Sequence, residues 1–135
     1  MTDFTRVDRE YDRLPALLVD NAPGFAESEE YARLDPNDLE LPTVVCGAFN
    51  RYFCRLQNAA AMRPELDPTV ARALRDAYRA IDRLCASNDP EVVNTVVVEI
   101  FEHLDLGDAT LATFEARRGK TARELYDRWN VEPAR

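Results

Sequence analysis

The chain has 135 residues, about the length of one domain, and folding at that size buries roughly two thirds of the extended-chain surface. Hydrophobic residues make up 46% and charged residues 31%, which excludes a disordered chain, a collagen repeat and a membrane span, because apolar residues are plentiful yet broken up by charge. Twenty-five acidic against seventeen basic residues leave a net charge of −8, which argues against nucleic acid or an anionic membrane as the main partner.

Phe4, Val7, Tyr11 and Leu14 recur at helical spacing until Pro15 interrupts. This predicts one helix ending near Arg13 and a short helical piece through Leu17, Leu18 and Val19, stopped by Pro23-Gly24. The charged N-terminus lacks the apolar core of a secretory signal and no later stretch is apolar enough to cross a bilayer, so a cytoplasmic location is expected. Phe25 to Leu34 reads as a short acidic helical segment, followed by a turn at Asp35-Pro36-Asn37-Asp38.

The charge is unevenly placed. Up to Glu40, eleven carboxylates face four arginines and leave −7, while the remaining 95 residues net −1. Such an excess is either a solvated segment that keeps the chain soluble or an acidic docking surface for a basic partner. In the second reading the carboxylates speed encounter and aromatic anchors supply affinity. The candidate partner-binding residues are Glu27, Glu29, Glu30, Tyr31, Asp35, Asp38 and Glu40, interleaved with Phe25, Leu34 and Leu39.

Leu41-Pro42 opens a strong helix whose apolar residues Val44, Val45, Ala48, Phe49, Tyr52, Phe53 and Leu56 cover about half its circumference. It is expected to be central, with a neighbouring helix approaching closely at Gly47. Asp67-Pro68 and Asp89-Pro90 repeat one signal, an N-cap acid before a proline at the first helical position. The helix from Pro68 to about Ala86 carries Val70, Leu74, Ala77, Tyr78, Ile81 and Leu84 on one face and Arg72, Arg75, Arg79 and Arg83 on the other. The segment Glu91 to Leu104 is nearly all apolar apart from a strip of Thr95, Glu99 and Glu102. Its valines suit a strand equally well, but the cap and a stop at Gly107 favour helix, with Asn94 expected inside the apolar arc. Asp108 then caps a short helix through Phe114, ended by Arg117-Arg118-Gly119, and Thr121-Ala-Arg-Glu124 forms a capping box for a last helix that docks through Ala122, Leu125, Tyr126 and Trp129. The fold class is all-α, a compact single domain of about six helices in antiparallel hairpins, in the manner of a short HEAT-like stack.

Chemistry-bearing signatures are sparse. Cys46, Cys54 and Cys85 form no Cys-x-x-Cys pair and read as free buried thiols. Glu99, Glu102 and the single His103 are the best enzymatic candidates, for a metal-assisted hydrolase, but the spacing is not that of a di-metal helix or a His-Glu-x-x-His site. Arg72, Arg75, Arg79 and Arg83 look like a phosphate-binding ridge in isolation. Asp76 and Asp82 flank them, and a solvated, partly paired face is the simpler reading. No cofactor or metal is expected.

The order of Pro23-Gly24-Phe25, the run from Leu41 to Phe53, the run from Glu91 to Leu104, and Arg123-Glu-Leu-Tyr-Asp-Arg-Trp129 resembles an uncharacterised family of small bacterial helical proteins, some of them immunity-type proteins accompanying toxins. The resemblance covers most of the chain from about Leu17. It implies the helical fold and a role in protein binding, and carries no catalytic residues. The expected function is therefore non-enzymatic binding, most concretely an immunity-like inhibitor presenting its acidic N-terminal region to a basic toxin domain. Two alternatives stand beside it: a scaffold or regulatory subunit binding through an apolar patch near Trp129, with a homodimer open, and the hydrolase centred on Glu99, Glu102 and His103.

Overall fold

The computed structural model describes residues 9–61, 67–104, 119, 122–124 and 126–127. A 3-10 turn over Glu10–Arg13 leads directly into α1, Leu14–Asn21. Pro15 sits in the first turn of α1, where its missing N–H needs no partner, so it opens a helix instead of ending one. Pro23 repeats the device and starts α2, Pro23–Ala26. Ser28 then caps α3, Glu29–Ala32: its oxygen accepts from the Tyr31 N–H at 3.2 Å and its hydroxyl donates to the Phe25 carbonyl at 2.6 Å. The acidic segment expected as one helix is thus two short ones hinged at a buried serine. Asp35 caps a further 3-10 turn, Pro36–Asp38, accepting from the Asn37 N–H at 2.9 Å.

Helix α4, Pro42–Ala61, starts where its proline predicts and packs against α1, α3, α5 and α6. It buries Val45, Cys46, Ala48, Phe49, Tyr52, Phe53 and Leu56. Val44, expected on that face, is instead 38% exposed, while the adjacent Val45 is fully buried. Gly47 meets its neighbour as expected: a Cβ added there would lie 3.3 Å from Glu99 Oε1.

Helices α5, Pro68–Cys85, and α6, Pro90–Glu99, both begin at Asp-Pro. Asp67 accepts from the Thr69 N–H at 2.7 Å and Asp89 from the Glu91 N–H at 3.1 Å, as N-cap carboxylates do. Leu74, Ala77, Tyr78, Ile81 and Leu84 of α5 are buried and its arginines are exposed. The valine-rich segment is helical but stops at Glu99, short of the predicted Leu104. A 3-10 turn over Phe101–His103 follows, burying Phe101 and placing the His103 carbonyl where Asn50 Nδ2 donates to it at 2.9 Å. Asn94 is exposed and Thr95 buried, the reverse of the expected facing. Thr95 tolerates burial because its hydroxyl donates to the Glu91 carbonyl at 2.7 Å.

The helical residues 122–124 and 126–127 dock on α5 and on the turn after α6. The Arg123 N–H donates to the Gly119 carbonyl at 2.9 Å. The Ala122 N–H donates to Asp82 Oδ1 of α5 at 2.8 Å. A residue forty positions away therefore caps this N–H. Tyr126 packs edge-on against Phe101, centroids 5.2 Å apart. The Thr121 capping box, the Gly107 stop, the helix from Asp108 through Phe114, and Leu125 and Trp129 lie outside the described residues, as does the helix start at Phe4.

One continuous apolar cluster runs from Leu14 to Ala122, contributed by helices and 3-10 turns with no strand among the described residues, as in an all-α bundle. Phe25 is its hub, with ring centroids 5.1 Å from Tyr31, 5.2 Å from Phe49 and 5.6 Å from Tyr52. The three cysteines are buried and free. Gln57 is fully buried on α4, its amide donating to the Tyr78 hydroxyl while its Oε1 has no partner among the described residues.

Candidate functional site

The feature that gathers the N-terminal acidity in space is a cleft of about 580 Å³ between α1 and the chain that leads from α3 into α4. One wall consists of Asp12, Arg13, Pro15, Ala16, Val19 and Asp20. Asp12, Ala16 and Asp20 follow one another at four-residue spacing, so the helical repeat stacks them on one face. The other wall is Tyr31, Leu39 and Glu40. Its shape follows from local chemistry. The Ser28 cap fixes the start of α3, Phe25 holds Tyr31 edge-on, and the Asp35 cap folds the chain so that Leu39 and Glu40 return beside α1.

Asp12, Asp20 and Glu40 are exposed and form no ion pair among the described residues. The half-buried Val19, Tyr31 and Leu39 give the cleft an apolar floor. Leu41, next to Glu40, is 46% exposed, and with Val44 it is one of two large hydrophobic residues so exposed among the described residues.

The predicted partner-binding residues divide. Tyr31 and Glu40 line the cleft. Glu27 and Glu29 are exposed but outside it, and Asp38 is half-buried at its 3-10 turn. Asp35 is engaged as a cap. Glu30 is engaged by Arg55, whose Nε and Nη2 donate to the two carboxylate oxygens at 2.7 and 3.0 Å. These hydrogen bonds hold the Glu30 carboxyl below the usual range, and the Arg55 guanidinium also stands 5.7 Å from the Tyr52 ring centroid.

Asp12 and Asp20 lie outside the predicted set, although their spacing of eight is plain in the sequence. Reading Pro15 as a break hid the shared face.

Other ion pairs tie the first turn to the body. Arg83 donates through both terminal nitrogens to Glu10, at 3.0 and 2.8 Å. These bonds, with a smaller one from Ser87, lower the Glu10 carboxyl to about 2. Arg9 reaches Asp89 at 2.5 Å and Glu91 at 2.6 Å, and Asp89 also accepts from the Tyr11 N–H at 3.0 Å. Part of the N-terminal acidity is therefore spent internally, and the cleft gathers Asp12, Asp20 and Glu40 of the remainder.

Glu99, Glu102 and His103 do not share a helical face, because α6 ends between them. Glu99 lies against Gly47 of α4, while Glu102 and His103 are exposed in the following turn. Among the described residues no group of three or more histidine, cysteine, aspartate or glutamate side chains is arranged to hold a metal ion. No described helix is long and apolar enough to cross a membrane.

The profile of a family described as a domain of unknown function, DUF7674, matches residues 15–131. The chain belongs to this family. The DUF7674 match begins at Pro15, in the first turn of α1, and so spans the cleft lining from Pro15 to Glu40, while Asp12 and Arg13 precede it. No curated protein matches the chain, and no solved structure does.

Proposed function

We propose that this DUF7674 protein is a non-enzymatic protein-binding domain that takes a basic segment of a partner protein into the cleft between α1 and the α3–α4 connection. The observation that carries the reading is the joint presence there of three carboxylates that form no ion pair among the described residues, Asp12, Asp20 and Glu40, around the apolar floor of Val19, Tyr31 and Leu39. Long-range attraction to the carboxylates steers a cationic segment in, and the apolar floor with Leu41 at its rim retains it. Most concretely, the domain is an immunity-like inhibitor of a basic bacterial toxin domain, occupying with carboxylates the place of an anionic substrate.

The test compares two triple variants, measured by stopped-flow association with a fluorescent arginine- and leucine-rich peptide. Asp12→Asn, Asp20→Asn and Glu40→Gln remove three charges within the cleft. Glu27→Gln, Glu29→Gln and Glu124→Gln remove three exposed charges outside it. The cleft variant is expected to associate about tenfold more slowly at low salt, with a flatter salt dependence. The outer variant changes little, and both keep the wild-type melting temperature. Equal slowing by the two triples would refute the cleft and leave only bulk charge. Binding that ignores salt and is lost instead on Leu41→Ser or Val44→Ser would favour the scaffold reading, in which an apolar patch makes the contact.

A further inference from the structure

A second concavity, of about 550 Å³, has the opposite chemistry: α5 lines it with Arg75, Tyr78, Arg79, Asp82 and Arg83, and Gly119 closes one side. Arg75 and Arg79 stand one helical turn apart, with Cβ atoms about 5–6 Å from each other, close enough for both guanidinium groups to reach one anion. Neither forms an ion pair among the described residues. Arg83 at the margin has its charge met by Glu10.

Two carboxylates on α5 stand near the pair, and neither forms an ion pair with it among the described residues. Asp82 accepts the Ala122 N–H at 2.8 Å and presses so closely on Gly119 that a Cβ there would lie 2.4 Å from its Cγ. Asp76 is half-buried beside the arginine face of α5. The Tyr52 hydroxyl and Ala73 flank the same point at Gly24, and Asp76 adds to the rise that burial imposes on the Tyr52 phenol. In a chain of net charge −8, the fold thus sets two arginines that form no ion pair among the described residues on one concave surface.

We propose that this concavity binds the phosphate ester of a soluble small molecule, with Arg75 and Arg79 together gripping the phosphate. A phosphate monoester carries close to two negative charges and three acceptor oxygens, which matches two planar guanidinium forks better than a single carboxylate does. The volume lies within the range of about 300–1,000 Å³ typical of small-molecule sites and leaves room over Tyr78 for the organic part. A long polyanion is disfavoured by the net charge, whereas a small dianion meets mainly the local field. The site is separate from the acidic cleft, and either reading can fail alone.

The test titrates inorganic phosphate and phenyl phosphate into isotope-labelled protein and follows amide NMR shifts. Saturable shifts are expected at Arg75, Tyr78, Arg79 and Gly119, stronger for phenyl phosphate. Arg75→Ala and Arg79→Ala should each weaken binding about tenfold or more, the loss of one charge-assisted hydrogen-bonding partner. Arg72→Ala removes an equal charge from the same helix outside the concavity and should change affinity less than about twofold. Absence of saturation by about 10 mM of either phosphate, or equal loss in the Arg72 variant, would overturn the proposal. So would saturable binding of a glutamate-rich peptide without phosphate binding, since that assigns the surface to an acidic protein.

Discussion

Gly119→Ala offers a sharp check on the packing of the C-terminal helical residues, because two physical arguments give it opposite signs. No described glycine has a positive φ, so alanine fits the backbone. Removing a glycine from such a site normally stabilises by about 0.4–1 kcal/mol through the unfolded chain. The new Cβ, however, would stand 2.4 Å from Asp82 Cγ and 2.5 and 2.8 Å from its two carboxylate oxygens. The carboxylate has to swing away and abandon the Ala122 N–H. Loss of a cap costs about 1 kcal/mol, up to about 2 in favourable cases, and a hydrogen bond to a charged group is of similar worth. The net expectation is destabilisation by about 1 kcal/mol, a fall in melting temperature of roughly 3–5 °C for a chain of this length. Urea denaturation of wild type, Gly119→Ala, Asp82→Ala and the double variant measures it. In the Asp82→Ala background the clash is gone and Gly119→Ala should stabilise, giving a coupling of about 1.5 kcal/mol around the cycle. Stabilisation by Gly119→Ala in the wild-type background would refute the cap and the close approach together.

Three further outcomes follow from burial and pairing. Glu10→Gln should cost about 1 kcal/mol at neutral pH, held to that size by the exposure of Arg83. Because the folded carboxyl titrates near 2 and the ordinary value is 4.5, the pair's contribution is complete above pH 4.5 and lost as pH falls toward 2. The stability gap between wild type and variant should therefore close over that window; a constant gap contradicts the ion pair. The thiols of Cys46 and Cys85 are pushed up by burial, Cys85 to about 12, so a thiol-titrating reagent should find none of the three cysteines quickly in native protein and all three after denaturation. Rapid native labelling at Cys46 would contradict its burial. Gln57→Glu places a carboxyl where no water reaches, raising its folded titration point. The variant should be closest to wild-type stability at acid pH and lose stability as pH rises beyond the ordinary glutamate range, visible in melts at pH 4 and pH 8; pH-independent destabilisation would show that the side chain escapes to solvent.

The legible parts of the fold were those controlled by chemistry within a few residues. Asp67-Pro68 and Asp89-Pro90 announce helix starts because the cap and the fixed proline torsion act within one turn, and the buried face of α5 was plain because its apolar period is clean. Pro15 opens a helix where a break is expected, because the same ring that breaks a helix interior is well placed in a first turn. The end of α6 depends on Asn50 reaching the His103 carbonyl across 53 positions, and the cap at Ala122 depends on Asp82 across 40. No local pattern carries either contact. The candidate site suffered in the same way. The acidic third was visible as charge, but which carboxylates stay free was decided by partners distant in sequence, with Arg55 taking Glu30 and Arg83 taking Glu10. Asp12 and Asp20 came to the cleft through the continuity of the 3-10 turn and α1 past Pro15.

The most direct test of the central claim is where a cationic ligand sits. Amide NMR shifts recorded while an arginine- and leucine-rich peptide is titrated into the labelled protein are predicted to concentrate at Asp12, Ala16, Val19, Asp20, Tyr31, Leu39 and Glu40, and to vanish in the Asp12→Asn, Asp20→Asn, Glu40→Gln variant. Shifts spread over all the exposed carboxylates, or centred on Glu27 and Glu29 with the cleft silent, would contradict it.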